Sequence, residues 1–241
     1  MSESSFRKPT FLAAVFILLV ASLVFVTTVS PLFHAKTINI DGESTLKEGK
    51  VLELAGIDGG TNLLWLSGSA VSERLTAEPW IASVEVDKRL PSTLTITIAE
   101  RHAVAQMGTG HDWILIAEDG TALEPSRRVL DLPEIQGAPA PGLGSADERS
   151  TPAAKAIAAL TGATREAVER VIIEEDGTLR MILRDGGRVE YGAADRFDEK
   201  GQAIGGVVSW ATENGATIKT LDVTAPSAPA AKVTKPQTPD S

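Results

Sequence analysis

The stretch that most restricts the fold is residues 78 to 105. Ile81, Val84 and Val86 precede a Leu90-Pro91-Ser92 turn, and beyond it Leu94, Ile96 and Ile98 alternate strictly with Thr93, Thr95 and Thr97. Successive side chains on a strand point to opposite faces, so the pattern predicts a β-hairpin with one buried and one wet face. Trp80, directly after Pro79, reads as the close of a helix followed by an aromatic plug where the strand begins.

The residues upstream predict what covers that hairpin. Lys36 to Ile40 forms a short strand closed by the turn dipeptide Asp41-Gly42. Ser44 or Thr45 can cap a helix whose Leu46, Val51, Leu52, Leu54 and Ala55 share an apolar face, ended by Gly56. Gly59-Gly60-Thr61-Asn62 is a loop; it has neither the Gly-Lys-Ser/Thr of a phosphate cradle nor a dinucleotide-binding spacing. A second helix runs from about Ser69 to Ala77, with Val71 and Leu75 at i and i+4 and Pro79 as its stop. The order is strand, helix, helix, strand, strand.

Phe11 to Val29 is an uncharged run of 19 residues. As a helix it spans roughly 28 Å, close to the hydrocarbon thickness of a bilayer, and residues 11–30 are predicted to form a single transmembrane helix. The alternative, a cleaved signal peptide, needs a shorter apolar core and a small-x-small site, which the chain offers poorly around Phe33 and Ala35. Arg7 and Lys8 precede the run and nothing basic follows until Lys36, which puts residues 1–10 in the cytoplasm and the rest outside.

Beyond Arg101 the pattern is strand-rich over residues 103–224. Val104 to Met107 and Trp113 to Ala117 read as strands, with Asp119-Gly120 a favoured turn. Residues 125 to 150 read as a long surface connection, and Thr151 to Leu160 as a helix with Pro152 in its first turn. Val168 to Glu174, Leu179 to Leu183 and Arg188 to Tyr191 form an antiparallel meander broken at Asp176-Gly177 and Asp185-Gly186-Gly187. Asp195 to Glu213 is helical in period despite Gly201, Gly205 and Gly206, each of which costs about 1 kcal/mol against Ala. Thr217 to Val223 is the last strand, and the proline-rich residues 225–241 are predicted to be a disordered tail. The fold class is therefore α+β: a span, a βααββ unit, and a β-rich domain with an antiparallel sheet and flanking helices.

Little in this chain points to chemistry. The absence of cysteine excludes disulfides, Cys-ligated zinc and thiol catalysis, and a net charge of −9 argues against nucleic acid. With Glu3, Arg7 and Lys8 set aside, the remainder carries about −10, which also repels anionic lipid. His34, His102 and His111 have no metal-ligand spacing, and no Gly-x-Ser-x-Gly occurs. Glu174, Glu175 and Asp176 read as a solvated hairpin end rather than an acid/base pair. Trp65, Trp80, Trp113 and Trp210 read as core plugs, and Arg89 and Arg101 as ties at the hairpin ends or the domain junction. No catalytic residue, cofactor or metal is expected. What remains is edges: open sheets leave backbone groups unpaired at their margins, where a partner chain can add a strand. Thr217 to Val223 is the candidate edge; the alternative is that it lies inside the sheet or under the tail.

The element order at about 35–102 resembles a POTRA domain. The wording NLLWL, EPWIASVEVDKRLPSTLTITIAERHAVA and WILIAEDGTAL is similar to the FtsQ/DivIB family of bacterial cell-division proteins, over roughly residues 1 to 224 and most strongly from Asn62 to Leu123. The resemblance implies a non-enzymatic scaffold in the cell membrane at the division septum. It would bind FtsB/DivIC-like and FtsL-like bitopic partners, with an FtsB-like strand added near Leu221, Asp222, Val223, Thr224 and Ala225. The POTRA domain would contact other division proteins or direct septal targeting. Two other classes compete. A single-span envelope sensor is disfavoured by so short a cytoplasmic tail, and a membrane-anchored wall enzyme by the missing catalytic set.

Overall fold

The computed structural model describes residues 7–29, 31–42, 45–110 and 112–234. Expectations for residues 1–6, for Ser44 as a cap, for His111 and for residues 235–241 lie outside these. The chain divides into two compact units, one of Met1–Ala77 with Ile81–Glu100, the other of Glu78–Trp80 with Arg101–Ser241.

The first unit begins with α1, Arg7–Val29, 23 residues long. Among the described residues no helix is long and apolar enough to cross a membrane. The side chains of α1 are described from Phe11 to Val26 only, 16 residues and about 24 Å of helix. Every one of them is exposed, with Phe16, Leu18 and Phe25 at 67, 71 and 66%.

A 3-10 turn, Pro31–Phe33, leads to β1, Thr37–Asp41. Two helices follow, α2 at Glu48–Ala55 and α3 at Gly68–Thr76, and then the hairpin of β2, Ile81–Arg89, and β3, Thr93–Glu100. The sheet order is β1-β3-β2, with β1 parallel and β2 antiparallel to β3. Leu94, Ile96 and Ile98 are buried and pack with Val51, Ala55, Leu63, Val71, Leu75 and Ile81, so the period-2 pattern does face the helices. Ser67 caps α3 by accepting from the Ala70 N–H at 3.2 Å. The start of α2 is not held by its own side chain. The buried Glu100 carboxylate, at the end of β3, accepts from Thr45 N at 2.8 Å and Leu46 N at 3.0 Å and so anchors the chain just ahead of α2, whose N-cap is Lys47 and not Thr45 as expected.

The second unit holds a nine-stranded sheet in the order β12-β11-β10-β9-β8-β7-β4-β5-β6. These are β4 Ala103–Gly108, β5 Trp113–Ala117, β6 Ala122–Ser126, β7 Glu134–Gln136, β8 Val168–Ile173, β9 Leu179–Leu183, β10 Arg188–Gly192, β11 Thr217–Asp222 and β12 Ala230–Thr234. Three helices, α4 Thr151–Ala158, α5 Gly162–Ala167 and α6 Phe197–Glu213, accompany it. The meander β8-β9-β10 is antiparallel, as its two turns require. The sheet as a whole is mixed rather than antiparallel, because β7 pairs in parallel with both β4 and β8, and β10 with β11. The β10-α6-β11 crossover makes that last pairing possible.

The expected surface connection over 125–150 is corrected by β7, which runs through the middle of the sheet. Ile135 is buried in the core, and Gln106 holds the preceding chain. Its amide donates to Leu130 O and Leu132 O at 2.8 and 2.9 Å and accepts from Leu130 N at 2.9 Å. Ala153, Ala154, Ala156 and Ile157 of α4 pack on the sheet with Ile204 and Ala211 of α6. Gly201 of α6 has a use: a Cβ there would stand 2.4 Å from Ala159 O, so only glycine lets α6 approach the end of α4.

Two tryptophans depart from the expected core role. Trp65 and Trp210 are exposed at 59 and 41%. Trp80 does pack, against Leu115, Ala117 and Leu123. Arg101 donates to Pro79 O at 2.9 Å and pairs with Asp119 at 2.7 Å, whereas Arg89 is exposed and pairs with Asp87, two residues back, at 3.2 Å.

Candidate functional site

The site the sequence singles out lies at the β11 end of the second sheet. β11 is delivered by α6 and turns Ile218 and Leu221 into the core. Val223 continues inward, and its N–H donates to Glu190 O at 3.1 Å. The expected margin is corrected here. Residues 225–241 were expected to be disordered, yet Ala230–Thr234 forms β12 and pairs antiparallel with β11. Leu221 faces Ala231 and Asp222 faces Ala230, so β11 lies between two strands. Thr224 and Ala225 are exposed in the connection, where Pro226 is buried and Ala228 N donates to Ala225 O at 2.9 Å.

The reversal has a local cause. The Asp222 carboxylate accepts the hydroxyl of Thr224 at 2.7 Å and its N–H at 2.9 Å. Those bonds, the hydroxyl first, hold the carboxyl below its ordinary range. β12 is exposed at every position except Val233, which packs against the core. Among the described residues no strand lies on its outer side. The opposite margin is less open: β6 contains Pro125, and Ala122 exchanges hydrogen bonds with Ser145 and Gly144. β12 is therefore the freer edge, with Lys232 mid-strand as the charge that discourages indiscriminate pairing.

Beneath this end sits a buried cation, at a residue type that ordinarily marks the surface. Lys200, 1% exposed, donates to Ala193 O at 2.6 Å and Asp195 at 2.7 Å, and its amine lies 4.7 Å from the Tyr191 ring centre. The hydrogen bond from Lys200 is the main cause that keeps the Asp195 carboxyl below its usual range. Burial, with the charges of Asp195 and Asp198, pushes the Tyr191 phenol well up. Arg196, in the left-handed region at φ 45, reaches Thr224 O at 2.9 Å and so ties the start of α6 to the turn after β11.

The other candidates do not converge. His34 is half-buried in a bridge with Asn62, and His102 lies between β3 and β4. Glu174 pairs with Arg180 at 2.7 Å, while Asp176 closes its turn on Thr178. Among the described residues no cluster of three or more His, Asp or Glu could hold a metal. A groove of about 180 Å³ between the sheet and α6 is lined by Leu183, Val208, Ala211 and Ile218 among others and is largely apolar.

Residues 33–101 match the family described as POTRA domain, FtsQ-type, and residues 103–221 match Cell division protein FtsQ/DivIB, C-terminal. A βααββ unit followed by this mixed sheet is thus the pattern of a POTRA-bearing cell-division protein. The chain belongs to the FtsQ/DivIB family. It is 38% identical over 107 residues to the cell division protein FtsQ of Bradyrhizobium diazoefficiens, covering 44% of this chain and 31% of that protein. It is 29% identical over 205 residues to FtsQ of Mycobacterium leprae, covering 85% of this chain and 57% of that protein. FtsQ of Corynebacterium glutamicum is 24% identical over 201 residues, with 80% of this chain and 87% of the relative covered. The chain thus spans less than two thirds of the first two.

Proposed function

We propose that the chain is a membrane-anchored, non-enzymatic scaffold of the division machinery. In this reading α1, over about residues 11–30, crosses the cell membrane once, with the N-terminus in the cytoplasm and both folded units outside, at the septum. A helix apolar and exposed on every side needs an apolar solvent, which supports the span. The scaffold holds FtsB/DivIC-like and FtsL-like bitopic partners, at least one of them by strand addition. The POTRA unit serves other division proteins.

The observation that carries the reading is the outer side of β12: five residues whose backbone pairs on one side only. A partner strand there gains main-chain hydrogen bonds with no catalytic apparatus. Leu221, Asp222, Val223, Thr224 and Ala225 act in this proposal as the strand and turn that position β12.

The test is a pair of proline substitutions, Lys232→Pro and Val233→Pro, in the full chain. N–H groups of neighbouring strand residues point to opposite sides, so one variant removes a donor facing β11 and the other an outward donor. The outward variant should lose capture of an FtsB/DivIC-like partner and septal focusing of a fluorescent fusion while keeping its melting temperature. Unchanged capture and focusing by both variants contradicts the proposal.

A further inference from the structure

The geometry points to a second contact surface: the end of the POTRA unit that carries Leu32, Trp65 and Leu90 lies in the headgroup layer of the bilayer that α1 enters. The inference rests on the reading of α1 as a span.

The chain is stitched to this end within a few residues of leaving α1. Leu63 N donates to Phe33 O at 2.8 Å, Ala35 N to Thr61 O at 2.9 Å and Lys36 N to Ser92 O at 2.9 Å. His34 pairs with Asn62. These bonds bring the 61–66 loop and the Leu90-Pro91-Ser92 turn to the same end, and Lys88 ties the two by donating to Leu66 O at 2.7 Å. Four Cα-to-Cα steps lead from Val29 to Phe33, a reach of no more than about 14 Å. The headgroup layer itself is roughly 5 to 8 Å thick. The end of this unit therefore cannot stand far from the membrane surface.

The side chains there are of the kind an interface takes. Leu32, Trp65 and Leu90 are exposed at 53, 59 and 52%, in a unit whose other large apolar residues beyond α1 are covered. Tryptophan at the headgroup level keeps its ring in an apolar setting and its N–H wet. Charge fits as well. Lys36, Lys88 and Arg89 are exposed at this end against Asp87 and Asp58, three basic groups to two acidic and so a formal balance of +1, with Arg89 and Asp87 paired to each other. In a chain of net charge −9 this end is locally basic, matching anionic lipid that the rest of the protein repels.

The chain has no cysteine, so single-cysteine variants of the full protein, Leu90→Cys, Ser83→Cys and Leu19→Cys, can carry a nitroxide in vesicles of zwitterionic lipid with or without anionic lipid. Position 83 lies six residues along β2 from Arg89, about 20 Å away. Docking predicts oxygen collisions favoured over a water-soluble nickel chelate at position 90, the reverse at 83, and a contrast at 90 that grows with anionic lipid. Chelate-accessible labels at both 83 and 90, with position 19 oxygen-rich, overturn the docking and leave the span standing. Position 19 open to the chelate sinks the span, and this inference with it. Low collision with both probes at 90 means a protein covers it, which also overturns the docking.

Discussion

Leu221 stands opposite Ala231 across the β11–β12 pair: a fully buried residue roofed by one that is exposed. The geometry separates two jobs along one sheet end. β11 belongs to the core and carries its packing, while β12 presents backbone outward and carries little bulk of its own. A strand so placed can accept a partner without the body of the domain being disturbed, since its loss exposes few apolar groups.

The buried Lys200 makes the α6 end sensitive to a single substitution. Lys200→Met keeps the stem but leaves Ala193 O without its donor and Asp195 with only the more distant Arg196 beside it. The expected loss is about 2–3 kcal/mol, read by calorimetry as a fall of several degrees in the melting temperature of the second unit. Because Arg196 of the same end is bonded to Thr224 O, partner capture should weaken in parallel. A variant as stable as the parent shows that the amine is dispensable.

Gly201→Ala sets helix propensity against space. Alanine favours the helix by about 1 kcal/mol, but its Cβ meets Ala159 O at 2.4 Å. The clash is with backbone and cannot be relieved by a rotamer, so the variant is expected to be less stable by about 1–3 kcal/mol. Denaturant titration decides the sign; a gain in stability means α6 can move away at little cost.

Asp119 gives a pH signature. Burial pushes its carboxyl up, but bonds from Arg101 and Thr121 and the Arg101 charge outweigh burial and hold it below its ordinary value. A depressed carboxyl stabilises the fold above the unfolded value of about 3.9, and the contribution disappears as pH falls through the folded value. Asp119→Asn should therefore flatten the stability curve below about pH 4 and leave its shape at higher pH unchanged. Acid titration of both proteins followed by tryptophan fluorescence checks this.

How legible each part was follows from the length and bulk of its signal. The hairpin of β2 and β3 repeats its period through Leu94, Ile96 and Ile98, and three buried residues in alternation leave little choice of face. β7 has one core residue, Ile135, in three, too short for any period to show. β12 is hidden differently: Pro226 and Pro229 announce a break, Ala230 and Ala231 lack bulk, and only Val233 and Thr234 carry strand preference. Its formation depends on the Asp222 turn and on the waiting edge of β11, neither of which is local to its own five residues. Lys200 was illegible because lysine ordinarily marks surface, and its burial depends on a carbonyl and a carboxylate brought in by the turn before α6.

The open edge is tested most directly by hydrogen exchange of the full chain with and without a saturating FtsB/DivIC-like peptide. Strand addition predicts new protection at alternate amides within Ala230–Thr234, with the amides of β11 as protected as before. Faster exchange in β12 on binding, or protection that appears only elsewhere, would show that the partner displaces this strand or ignores it, and contradicts the account.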